Sequence, residues 1–129
     1  MELNLPEIVA EVRAAFDRYE RALLANDTEV LDQCFWSSDR TIRYGLAENL
    51  YGIEAIRGFR SGRAAVDLAR ELGRTEITTF GHDAATASTL YRRRGSGKTG
   101  RQMQTWIRLP EGWRVVAAHV SFLDFPWTG

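Results

Sequence analysis

Residues 101–123 read RQMQTWIRLPEGWRVVAAHVSFL, and this stretch decides the fold. Two runs rich in β-branched and aromatic residues, Arg101–Leu109 and Trp113–Leu123, flank Pro110-Glu111-Gly112, the composition of a turn between antiparallel strands. Reading backward, Ala85–Arg94 and Thr75–His82 have the same character, with Gly95–Gly100 and Gly81-His82-Asp83 as the turns between them. Four such strands in succession make a meander.

The front of the chain has a different period. Pro6 suits the first helical turn, and Ile8, Val12, Ala15, Phe16, Tyr19 and Leu23 recur at spacings of four and three, one apolar stripe. Asn26-Asp27 interrupts it, and Asp27 or Thr28 can cap a short second helix carrying Val30, Leu31, Cys34 and Phe35. From Arg40 the period is two, with Thr41, Arg43 and Gly45 on one side and Ile42 and Tyr44 on the other. Gly52 introduces a third helix with Ile53, Ile56 and Phe59 on one face and Arg57, Arg60 and Arg63 nearby, expected to continue brokenly through Val66 and Leu68 to Leu72. Helices first and an antiparallel meander afterward mean α+β. The expected architecture is a cone: N-terminal helices packed in a long curved, mostly antiparallel sheet around one internal cavity.

With 129 residues and 14.6 kDa, the chain is expected to form a single domain over 1–129, too small for a dinucleotide-binding fold plus a substrate domain. Seventeen basic residues balance seventeen acidic ones, so the basic excess of a nucleic-acid binder is missing. One cysteine excludes an intrachain disulfide, and no His, Cys or carboxylate cluster stands at metal-ligand spacing, so neither metal nor other cofactor is expected. No signal peptide is visible and no apolar run approaches a membrane span, so the expected location is the cytoplasm.

Several motifs have a plain reading beside a chemical one. Gly95-Ser96-Gly97-Lys98-Thr99-Gly100 imitates a phosphate loop, but Arg92 stands where the leading glycine belongs and no helix follows; it reads as a hairpin loop. Arg92-Arg93-Arg94 reads as a solvated sheet edge. Tyr19 is either a core tyrosine or a hydroxyl aimed into the cavity. Arg43 is solvent-facing, paired with Glu48, or turned into the cone, where it would need an anionic partner. His119 alternates with Val115, Ala117 and Ser121, as a core histidine or as a proton carrier. His82 lies in a turn, and Cys34 lies on an apolar helical face that does not suit a nucleophile.

Phe16-Asp17-Arg18-Tyr19-Glu20, Ala25-Asn26-Asp27, Phe35-Trp36, Thr41–Gly45, Glu48–Gly52, Ile56–Arg60, Gln104-Thr105-Trp106 and Gly112–Ser121 together resemble the AtzH/HpxZ-like family of the SnoaL/NTF2-like superfamily, over roughly Val12 to Leu123. The resemblance implies a cone dimerised through its outer sheet face. It also implies a small protein associated with amidases that degrade carboxylated ureas, in cyanuric-acid or oxalurate catabolism. One member is proposed to convert 1,3-dicarboxyurea to allophanate, and the tyrosine and arginine thought to matter there match Tyr19 and Arg43. An N-carboxylated urea loses carbon dioxide once its nitrogen is protonated, so binding, orientation and one proton suffice. On that basis Tyr19, Arg43 and His119 are the catalytic candidates, and Arg43, Arg60, Glu48 and Ser121 the substrate-binding ones, with Arg60 holding a second carboxylate at the mouth. The expected partners are a small anionic substrate, a partner amidase and a second copy, the last because Trp106 and Trp113 on adjacent strands would leave the outer face too apolar for solvent. Two other classes stand beside this one. One is a non-catalytic accessory or ligand-binding protein of the partner amidase; separately, His119-Val120-Ser121 after a Trp-bearing strand resembles the kinase association domain, a non-catalytic oligomerisation module on the same fold. The other is an isomerase or dehydratase, for which Glu20 and Glu48 are the inward carboxylate candidates.

Overall fold

The computed structural model describes residues 1–63 and 69–127. Helix α1 (Pro6–Leu24) starts with Pro6 in its first turn and buries the stripe Ile8, Val12, Phe16, Tyr19 and Leu23. Helix α2 (Thr28–Cys34) is capped by Asp27, whose carboxylate accepts from the Val30 amide at 3.2 Å. A short ribbon, β1 (Ile42–Tyr44) and β2 (Asn49–Tyr51), precedes α3 (Ile53–Gly62). The meander follows as β3 (Arg70–Phe80), β4 (Ala84–Arg93), β5 (Lys98–Leu109) and β6 (Gly112–Pro126).

The six strands form one mixed sheet in the order β2-β1-β6-β5-β4-β3, antiparallel throughout except where β1 lies parallel to β6. Its concave face meets α1: Ala85, Ala87, Trp106 and Val115 join Phe16, Tyr19, Leu23, Leu31 and Phe35 in the core. Small alanines on β4 leave room for the helix, while Trp106 fills the volume beside them; this is core packing by complementary size. The α+β cone expected from the sequence is the fold observed.

Three local expectations are corrected. The third helix ends at Gly62, and Leu72, expected near its end, lies in β3 beside Tyr91; Val66 and Leu68 fall outside the described residues. Trp106 is buried inside the cone rather than on the outer face, and Trp113 turns its indole to Glu11 of α1 at 2.9 Å. The outer face instead presents Ile42, Tyr44, Met103, Ala117 and His119. Finally, β5 and β6 shift register between the pairs Thr105↔Ala117 and Trp106↔Val115, which leaves Val116 as an extra residue. A one-residue bulge reverses which face each later side chain takes. Val115 therefore points into the core, whereas Ala117, His119 and Ser121 point outward.

Candidate functional site

A cavity of about 210 Å³ lies between α1, the β1–β2 turn, the end of α3 and the sheet, below the range of drug-sized pockets at ~300 Å³ and upward and suited to a small ligand. Tyr19 and Leu23 of α1 reach it from one side. Arg43 comes from β1, Leu46 and Glu48 from the following turn, and Phe59 and Arg63 from the end of α3. Its sheet wall carries Arg70, Tyr91, Arg93, Gln102 and Val120.

Arg43 pairs across the sheet with Ala118 and shares that residue's inward face. Its Nη1 donates to Glu48 Oε1 at 3.1 Å, and its guanidinium lies 5.5 Å from the centre of the Phe59 ring. The Ala47 amide holds the other Glu48 oxygen at 3.1 Å. Gly45 permits this fold-back, since a Cβ there would sit 1.7 Å from Glu48 Oε1. Glu48 thus orients Arg43, leaving the rest of the guanidinium edge for a ligand.

A second buried constellation stands on the sheet side. Arg70 donates through Nε to Glu20 Oε2 at 3.2 Å, and its Nη2 bonds both the other Glu20 oxygen and, at 3.0 Å, Gln102 Oε1. The same guanidinium lies 4.4 Å over the Tyr91 ring. Gly100 makes room for that ring: a Cβ there would come within 2.3 Å of Tyr91 Cζ. Burial pushes the Tyr91 phenol above its usual pKa, against an opposing pull from Arg70 and Arg93, so it stays protonated at neutral pH.

Among the described residues, four arginines line this cavity against two carboxylates, Glu48 on Arg43 and Glu20 on Arg70. Arg63 touches only the neutral Asn26 side chain, at 3.4 Å, and neither Arg63 nor Arg93 has a carboxylate partner among the described residues. Burial and the nearby charges of Arg60, Arg43 and Arg93 lower the Arg63 pKa, and Tyr19 opposes this. Among the described residues a surplus of two positive charges faces this confined volume, the electrostatics of an anion site.

The candidates from the sequence divide accordingly. Tyr19, buried at 6% exposure, lines the cavity with Arg43 and Glu48, and its hydroxyl has no hydrogen-bond partner among the described residues. Arg60 is buried against Asp32 and the Phe35 ring, 5.1 Å away, and does not line the cavity; Arg63 and Arg93 occupy the place expected for it. His119 and Ser121 are on the opposite side of the sheet, His119 exposed beside Tyr44 and Ser121 accepting from Arg101 at 3.1 Å. The β6 bulge removes both from this cavity.

Sequence reading passed over Arg70, Tyr91, Arg93 and Gln102. Arg93 belongs to the Arg92-Arg93-Arg94 run that reads as a solvated edge; Arg92, paired with Glu71, and Arg94 are exposed as expected, whereas Arg93 is half-buried at the cavity. The signal for Gln102 was its alternation with Gln104 and Trp106, two polar side chains in phase with a core tryptophan.

The AtzH-like family model matches residues 1–125. A crystal structure of a protein of unknown function from Pectobacterium atrosepticum, of a family designated DUF3225, is 57% identical, covers 95% of each chain and superposes with a TM-score of 0.93. A cystatin-like fold protein from Burkholderia xenovorans is 52% identical over 98% of this chain and 99% of its own, also with a TM-score of 0.93. A putative ketosteroid isomerase from Parabacteroides distasonis shares the fold at 14% identity, covering 84% and 85% of the chains with a TM-score of 0.71. A search of curated proteins finds no match. The family match over nearly the whole chain and the shared cone agree, and the chain belongs to the AtzH-like family.

Proposed function

We propose that the cavity takes a small carboxylated urea of the 1,3-dicarboxyurea type and removes one carboxylate as carbon dioxide, leaving an allophanate-like product. The observation that carries this reading is, among the described residues, the surplus of two arginines around a tyrosine hydroxyl with no partner, in a volume sized for a small dianion. Arg43 would hold the scissile carboxylate on the part of its guanidinium that Glu48 leaves open. The bond from nitrogen to the carboxylate carbon then breaks, its electron pair remains on nitrogen, and carbon dioxide departs. Tyr19 would deliver the proton that nitrogen needs and recover one from solvent; a positioned acid of this kind contributes about 100-fold or more. His119, outside the cavity, has no part in this scheme.

The two carboxylates of the isomerase alternative are both ion-paired, Glu20 with Arg70 and Glu48 with Arg43, which does not suit a free base. Association with a partner amidase and pairing of two copies through the outer sheet face belong to the same proposal; the half-exposed face around Met103 and Tyr44 is the surface offered.

The test is turnover of 1,3-dicarboxyurea by the purified protein without any amidase, followed as carbon dioxide release. Tyr19→Phe and Arg43→Lys should fold normally and lose about 100-fold in rate. An inactive parent protein would favour the accessory reading, and two fully active variants would show the residues to be wrongly assigned.

A further inference from the structure

Gln102 is 2% exposed and lines the cavity, yet its side-chain Nε2 has no hydrogen-bond partner among the described residues. Its other atom is fully engaged, because Oε1 accepts from Arg70 Nη2 at 3.0 Å. That contact also fixes which way the amide is turned. A guanidinium has donors only, so the oxygen must face Arg70 and the NH2 must face away. Arg70 is itself held on two sides by Glu20 and packed on the Tyr91 ring. The arrangement is an ordered chain, Glu20 to Arg70 to Gln102, ending in a donor that nothing among the described residues satisfies.

A buried donor left without an acceptor is a cost to the folded state, and native structures retain few of them. We infer that the Gln102 amide is a specificity-determining donor, and that it bonds an unprotonated oxygen of the bound anion. The inference rests on the anion-site reading above and adds a residue that neither the resemblance nor the charge count supplies. The chemistry follows from the donor type. An N–H group donates to the oxygen of a carboxylate or a urea carbonyl and has nothing to offer an ammonium group, which can only donate. Arg93, which also lines the cavity, brings charge, whereas the amide adds an uncharged donor fixed in direction by Arg70. Gln104 has an unpartnered Nε2 as well, but its oxygen is held by the Trp106 indole at 3.1 Å and it is not among the residues lining this cavity.

Malonate, a stable small dianion, is the probe, with binding followed by titration calorimetry and melting temperature recorded without ligand. Gln102→Met keeps the volume and deletes the donor. Gln102→Glu keeps the Arg70 contact but turns the donor into an acceptor. Malonate should bind each variant at least about tenfold more weakly than the parent protein. The ligand-free Gln102→Met protein gives up one contact to Arg70, which Glu20 still holds, along with the unmet donor, and should melt close to the parent, within the ~4 °C that a single hydrogen bond is worth. Malonate binding to both variants at parental affinity would overturn the role of Gln102 and leave the anion site standing. A parent protein that binds no malonate would overturn both. A ligand-free Gln102→Met protein that melts well below the parent would overturn the inference in favour of a structural glutamine.

Discussion

Arg70→Met provides the sharpest test of the energetics that support the cavity. The ion pair it breaks is buried at both ends, with side-chain exposures of 2% for Arg70 and 10% for Glu20. Removing the guanidinium strands a buried carboxylate, at a cost of about 3–5 kcal/mol. Unfolding entropy of about 2.1 cal/mol/K per residue, over the 129 residues of this chain, comes to roughly 0.27 kcal/mol/K. The melting temperature should therefore fall by about 11–18 °C. Arg92→Met is the internal control. Its pair with Glu71 is exposed at 43% and 56%, so it should cost under ~1 kcal/mol, or less than about 4 °C. Glu20→Met combined with Arg70→Met should recover more than half of the loss, since two apolar side chains leave no charge unpaired. Calorimetric melting of the four proteins at one pH and ionic strength is the assay. Equal losses for Arg70→Met and Arg92→Met, or no recovery in the double variant, would refute the burial argument.

Three further outcomes follow from the same contacts. Gly100→Ala places a Cβ against the Tyr91 ring and should destabilise by about 1–3 kcal/mol in urea unfolding, with a parental result showing that the ring yields freely. Burial holds the Cys34 thiol and the Tyr91 phenol above their ordinary pKa values, so the unfolded chain loses protons first; this share of stability is intact below pH ~8.5, declines from there for Cys34 and from ~10 for Tyr91, and Cys34→Ala with Tyr91→Phe should flatten the decline. Met103, 60% exposed at the centre of the outer face, should support pairing of two copies, so light scattering should read a dimer for the parent protein and a monomer for Met103→Glu.

The cone was legible because its determinants are periodic: the α1 stripe and the strands of the meander are local patterns that tertiary packing only had to confirm. Tyr19 and Arg43 were legible for the same reason, each being in phase with its own element. His119 was misplaced because a period-two count cannot see a bulge, and one extra residue at Val116 carried it to the other face. Arg60 was misplaced because nothing local reveals that Asp32, twenty-eight residues earlier, awaits it. Arg70 and Gln102 escaped notice because their meaning lies in pairing with Glu20 across the fold, a contact without any sequence spacing.

The central claim is that the cavity beneath α1 is a dianion site set by two arginines in excess of the carboxylates among the described residues. Titration calorimetry of the parent protein with malonate, acetate and urea, at matched ionic strength, tests it most directly. Malonate should bind at least about tenfold more tightly than acetate, a difference of ~1.4 kcal/mol for the second charge, and urea should give no heat of binding. Arg63→Gln with Arg93→Gln should abolish that preference while sparing the weak acetate signal. Equal affinity for malonate and acetate, or a preference that survives the double substitution, would contradict it.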